Sequence, residues 1–339
     1  DSAATLSYPS PPGSSYAANS YMVVNNYSSV EINGLEFNGP FAASNTAGLF
    51  VTGNASVDLN DASMVKMFEP DSDGEPSGVQ AHGAIALGHE RYTDSDSLGT
   101  IEISGSEIDE FGKFAVQVSG GHSSAEIRNT RINGSGNIDT LAQDSILVDS
   151  GEAVVANNTF ADVRSTGNTG TGVTVYGPSN NIEIRNNEFD DVNKAISLQS
   201  FRSFDDTPGV IEGVIVRDNT VRDQFQAVDI YSEGIDADEV VVQNLTFTEN
   251  TILDGNTGLA ALTGQVVESN IEDNTFDNNS VQVYQPRGTF NGTQILSEND
   301  LDAAAYLGQP NTTIYTEVQP VINGVVYEGT AAQDGDTIN

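Results

Sequence analysis

Residues 182–189 read I-E-I-R-N-N-E-F, and this octet decides the fold. Positions one and three are apolar around a polar second residue, the period of a strand with one buried face. Position eight is a large apolar residue again. The chain must therefore turn between positions three and eight while keeping both side chains inside. The expectation is that the sixth residue, Asn187, takes the left-handed conformation that makes this bend, because Asn tolerates it.

The octet recurs. Aligned on positions three and eight, ten copies start at residues 30, 57, 101, 125, 153, 182, 214, 245, 269 and 294. Most spacings fall between 24 and 32 residues, the mark of a solenoid, with one outlier of 44. Position six is Asn in the last six copies: Asn158, Asn187, Asn219, Asn250, Asn274 and Asn299. Stacked at one strand spacing, such amides can bond to one another in a ladder. A further apolar run follows each octet, as at 84–87, 115–118, 195–198 and 227–230. Each period thus reads strand, sharp turn, short strand, loop, strand, loop, with no amphipathic helix.

This pattern resembles the right-handed parallel β-helix of the pectate-lyase-like superfamily, especially its surface proteins with N-N-x-F repeats. The fold expected is all-β: a single-stranded parallel β-helix of about ten rungs over residues 22–301. An extended lead-in would precede it over 1–21, and a β cap or assembly segment would follow over 302–339. In that last segment Asn323-Gly324 is a hairpin signal. No capping helix is visible at either end, which points to self-association or a neighbouring subunit as the cover. The chain opens at Asp1, and a processed or trimmed form is expected.

Charge narrows the setting. The 339 residues hold 49 Asp and Glu against 12 Lys and Arg, a formal charge of −37, and only three of the cations are Lys. Self-repulsion of that size is tolerable where salt screens it, the Debye length falling to about 3 Å at 1 M. A high-salt, halophilic, extracellular setting is expected, at a cell surface or on a virion. Nucleic acid is a poor partner, because phosphate binding needs Lys and Arg. No apolar run is long enough to span a membrane. With no Cys, disulfides and thiolate metal sites are excluded.

Octet positions two and four face outward and form columns. Position two includes Glu31, Asp58, Glu102, Glu126 and Glu183; position four includes Asn33, Asn60, Ser104, Arg128, Arg185 and Arg217. The simplest reading is a ladder of Glu neutralised by Arg. The resemblance implies that carbohydrate-active members hold their cleft along such a sheet, and there Glu183, Arg185 and Arg217 would lie beside the paired carboxylates Asp205 and Asp206 of a long loop. The polygalacturonase-type motifs N-T-D, G-H-G and R-I-K are absent. Tyr176, Tyr231 and Tyr284 follow the third strands and are candidates for stacking on sugar rings. Asp71, Asp73 and Glu75 alternate oxygens around Gly74 in the manner of a weak Ca2+ loop. His82, His89 and His122 are read as loop residues rather than a zinc site. Sequons at Asn26, Asn54, Asn133, Asn244, Asn278, Asn291 and Asn311 are candidate glycosylation positions.

The leading expectation is an extracellular structural or adhesive subunit of a surface, filament or virion. The alternatives are a polysaccharide lyase or glycoside hydrolase, and a non-catalytic module that binds surface glycans.

Overall fold

The computed structural model describes residues 20–25, 29–40, 47–79, 82–88, 99–139, 141–201, 209–233, 239–284, 289–291, 299, 306–307, 321–322 and 325–326. No helix occurs among them. The chain divides into two compact units, residues 1–174 with 191–193, and residues 175–190 with 194–339. Each is built as a right-handed parallel β-helix with three sheets.

In the first unit, sheet one stacks Ser29–Asn33, Ala55–Asn60, Gly99–Ser104, Ser124–Arg128 and Glu152–Ala156 in parallel. Sheet two stacks Glu36–Asn38, Ser63–Met67, Glu107–Phe111, Arg131–Ile138 and Thr159–Ser165. Sheet three stacks Ser20–Asn25, Ala47–Thr52, Gly83–Gly88, Phe114–Ser119 and Asp144–Asp149. The second unit repeats the plan, with Ser179–Arg185 and Ile211–Arg217 in sheet one, Glu188–Asp190 and Thr220–Arg222 in sheet two, and Lys194–Phe201 and Gln226–Glu233 in sheet three. Its later rungs split the sheet-one strand in two, as in Val240–Gln243 and Thr246–Thr248, where Asn244 turns at φ 55°.

The octet places each side chain as its spacing requires. Ile182, Ile184 and Phe189 are buried, and the octets stay in register, Ile182 facing Val214 and Ile184 facing Val216. Each such side chain contributes about 1.5–3 kcal/mol on burial. Sheet one therefore alternates buried and more exposed residues, whereas sheet-three strands such as Gly83–Gly88 and Phe114–Ser119 are buried on both faces.

The turn differs from expectation. The left-handed residue is the fifth of the octet: Asp61, Asn129, Asn157, Asn186, Asp218, Glu249 and Asp273 have φ between 50° and 58°, and Gly34 and Gly105 occupy the same place. The sixth residue instead points inward. The geometric reason is that one left-handed residue already reverses the strand, which frees the next side chain to fill the corner. There Asn219 accepts from the Asn187 backbone N–H at 3.0 Å and donates to the Ile184 carbonyl at 2.9 Å. Its amide also donates to Asn250 Oδ1 at 3.0 Å, and the ladder continues through Asn274 to Asn299. In the first unit Ser106 and Thr130 hold this position and use hydroxyls.

Of the C-terminal segment, Tyr306–Leu307 extends sheet three, and Val321–Ile322 pairs antiparallel with Val325–Val326 around residues 323–324. Within the 44-residue interval between the second and third octets, Pro70 and Pro76 form an isolated antiparallel bridge.

The two corner positions are separable by mutation. Asn219→Ala strands a buried carbonyl and a buried N–H, so it should lower unfolding free energy by about 2–4 kcal/mol in urea titration. Asp218→Gly relieves left-handed strain and should change it by less than about 1 kcal/mol.

Candidate functional site

Alternation along sheet one, together with parallel register, brings position-two carboxylates of successive rungs into one column. Glu31 faces Asp58, Asp58 faces Glu102, and Glu102 faces Glu126. Rungs of a parallel stack lie about 4.8 Å apart. The parallel position-four column runs Asn33, Asn60, Ser104, Arg128. The four carboxylates, with Asn60, Ser104 and Arg128, line an open groove of about 350 Å³ in the first unit.

The groove residues are unequally engaged. Asn33 donates to Glu31 at 3.0 Å, Asn60 donates to Asn33 at 3.2 Å, and Ser104 donates to Asn60 Oδ1 at 2.7 Å. Arg128 is paired with Glu126. Asp58 and Glu102, at the centre, have neither hydrogen bond nor ion pair among the described residues. Two exposed carboxylates thus stand next to a row of amide, hydroxyl and guanidinium groups. That arrangement suits a ligand rich in hydroxyls, which donate to the carboxylates and accept from the neighbouring row.

The second unit shows the neutralised version of the same columns. Glu183 forms an ion pair with Arg185 at 2.9 Å and accepts a hydrogen bond from Arg217 at 3.1 Å, and Arg217 also reaches Asp218 at 2.8 Å. The Glu183 hydrogen bond is the main cause of an Arg217 pKa above its ordinary value. Asp205 and Asp206 lie outside the described residues. The three tyrosines are not one column: Tyr231 faces Gln199, whereas Tyr284 faces Ala260.

The Asp71 loop is organised by its own backbone. Asp71 Oδ1 accepts from the Asp73 N–H at 2.8 Å and the Glu75 N–H at 3.1 Å. Among the described residues no group of three or more His, Cys, Asp or Glu is placed to hold a metal ion. Of the sequons, Asn54 and Asn244 are exposed at left-handed turns, and Asn278 is exposed with its amide on Asp254 at 2.6 Å. Asn133 is buried and donates to Asp109 at 3.1 Å. Asn26 and Asn311 lie outside the described residues, as does the side chain of Asn291.

His122 is exposed, His89 is outside the described residues, and His82 is buried with Nδ1 3.8 Å from Glu69. Burial lowers the His82 pKa from its ordinary value, and Glu69 offsets this only in part.

These features define a class: a right-handed parallel β-helix with an acidic groove on one sheet. The right handed beta helix region family matches residues 77–302, and the chain belongs to it. No curated protein sequence matches the chain significantly. Among solved structures, the tailspike protein of E. coli bacteriophage HK620, in complex with a pentasaccharide, matches with TM-score 0.60 and 12% identity over 92% of this chain and 56% of that one. The GH136 lacto-N-biosidase from Eubacterium ramulus matches with TM-score 0.54 and 12% identity over 83% and 50% respectively. The chain thus spans little more than half the length of these structures.

Because the unfolded chain binds a proton at His82 more readily than the folded one, stability is full above pH ~6.5 and falls as pH drops through it. Thermal melts from pH 8 to pH 5 should show this slope, and His82→Gln should flatten it.

Proposed function

We propose that the chain is an extracellular saccharide-binding β-helix of a cell surface or virion in a high-salt medium, with the sheet-one groove of the first unit as its binding face. The observation that carries this is the free pair Asp58 and Glu102 beside Asn60, Ser104 and Arg128 in an open groove. Acceptors and donors in adjacent rows match the alternating demands of sugar hydroxyls, and binding sites commonly combine a concave floor with a few convergent polar groups. The fold shared with a pentasaccharide-bound tailspike and a lacto-N-biosidase supports a glycan as the ligand. The structural or adhesive role read from the sequence is retained as adhesion through that glycan. The net charge of −37 supports the high-salt setting.

A hydrolase is the second reading, and one observation favours it. Asp58 and Glu102 are register partners. One strand spacing of about 4.8 Å is close to the roughly 5–5.5 Å between the carboxyls of retaining glycosidases.

Calorimetric titration with neutral oligosaccharides in concentrated salt tests both. Asp58→Asn with Glu102→Gln should weaken binding about tenfold or more, the effect of losing charge-assisted hydrogen bonds. Unchanged affinity in that double variant would place the ligand elsewhere. Release of reducing sugar by the wild type, lost in either single variant, would favour the hydrolase.

The charge makes a separate prediction. The melting temperature should rise steadily as NaCl goes from 0.01 M to 1 M, where the Debye length shrinks from about 30 Å to about 3 Å. A flat profile would count against the high-salt setting.

A further inference from the structure

Two of the three lysines of this chain are held in ion pairs on sheet three, one in each unit. In the first unit Lys113 precedes strand Phe114–Ser119, and Asp144 opens the neighbouring strand Asp144–Asp149. The Asp144 N–H donates to the Lys113 carbonyl at 2.8 Å, so the backbone ladder fixes the two residues side by side. Both side chains are buried, and Lys113 Nζ lies 2.6 Å from Asp144 Oδ2.

The polar atoms of this pair are unevenly satisfied. Thr174, itself buried, donates to Asp144 Oδ1 at 2.6 Å. Lys113 Nζ donates to the Ala142 carbonyl at 2.6 Å. Asp144 Oδ2, although buried and in contact with Nζ, has no hydrogen-bond partner. A bare, buried carboxylate oxygen is costly, and such groups are rare without a reason. An amide joining Nζ to the Asp144 carboxyl carbon has one N–H and one C=O. Ala142 already stands ready for that N–H, and Thr174 for that C=O. Oδ2 is the one atom such an amide does not keep. In the second unit the pattern is reversed. Lys194 Nζ donates to Asp229 Oδ2 at 2.7 Å, and the buried oxygen without a partner is Oδ1. An amide formed there by loss of Oδ2 would leave its own carbonyl without a donor.

We propose that Lys113 and Asp144 condense to an intramolecular isopeptide bond, whereas Lys194 and Asp229 remain an ion pair. The ion pair already holds every atom the reaction needs. One Nζ proton passes to Oδ2, giving an amine and a carboxylic acid. The Nζ lone pair then attacks the carboxyl carbon, and the negative charge that develops on Oδ1 is held by the Thr174 hydroxyl. A second Nζ proton follows to Oδ2, the C–Oδ2 bond breaks, and one water leaves. The third hydrogen stays as the amide N–H facing the Ala142 carbonyl. Fixed proximity replaces a bimolecular encounter. The reaction also removes two charges that are costly to keep out of water. The bond closes residues 113–144 into a covalent loop between neighbouring rungs. In a chain without Cys it restricts the unfolded state as a disulfide would.

Mass spectrometry of the denatured full chain tests this. The wild type should weigh one water less than its sequence, and protease digestion should release a branched peptide joining residues 113 and 144. Lys113→Met should restore the full mass, whereas Lys194→Met should keep the deficit. In freshly synthesised chain followed over time, Thr174→Val should slow the loss of water about 100-fold, the effect of removing an oxyanion donor. A folded wild type at its full sequence mass would overturn the bond. So would a deficit that survives Lys113→Met, or one that maps to any other peptide. Should Lys113→Met fail to fold, the branched peptide of the wild type decides the matter by its presence or absence. A Thr174→Val chain that loses water as fast as the wild type would overturn the role given to the hydroxyl.

Discussion

In the second unit each corner from Asn187 to Asn274 depends on the next rung to satisfy it. The backbone reverses at a left-handed residue, and the N–H that follows has no partner within its own rung. In the second unit the amide of the neighbouring Asn supplies that partner, accepting the N–H of Asn187, Asn219, Asn250 and Asn274 in turn. Each amide also ties back to a carbonyl of the preceding rung. Register is thereby held at a point where slipping by one residue would strand several buried polar groups together. A one-residue slip would also move Ile and Val from core to solvent. Amide ladder and apolar stripe therefore enforce the same register.

With register held, the outer face becomes an addressable array. Columns repeat at one strand spacing, so what matters is which charges the sequence assigns to them. In the second unit Arg185 and Arg217 surround Glu183 and cancel it. In the first unit only Arg128 is supplied, and Asp58 and Glu102 are left uncompensated in an open groove. With 12 cations against 49 acids, the placement of each cation decides which acids are scaffold and which are available. The same economy appears inside sheet three. Lys113 and Lys194 each hold one buried Asp, and Thr174 adds a hydrogen bond to Asp144.

Most of the fold was legible in the sequence because strand period, turn residues and core residues recur in fixed places. The octet yielded sheet one, the buried eighth residue of sheet two and, in the second unit, the amide ladder. The runs at 84–87, 115–118, 195–198 and 227–230 all fall within strands of sheet three. The left-handed residue was assigned one place too late. Asn occupies both positions five and six in two copies, at 157–158 and 186–187, and composition cannot distinguish a residue that turns the chain from one that fills the corner. The copies that do distinguish them carry Gly or Asp at position five, Gly105 and Asp218 among them.

The sequence by itself determined the repeat, the parallel stacking and the columns of Glu, Asp, Asn and Arg that face outward, because period-two alternation and repeat length need no distant information. It did not determine which charges meet. The octet alignment already places Glu31, Asp58, Glu102 and Glu126 in one column, whereas the pairing of Arg128 with Glu126, which leaves Asp58 and Glu102 uncompensated, is decided by the fold. The pairing of Lys194 with Asp229 likewise joins residues 35 positions apart on neighbouring strands. Local propensity sets the shape of a rung, whereas the stacking of rungs decides which side chains become neighbours, and the candidate chemistry of this chain lies in those neighbours.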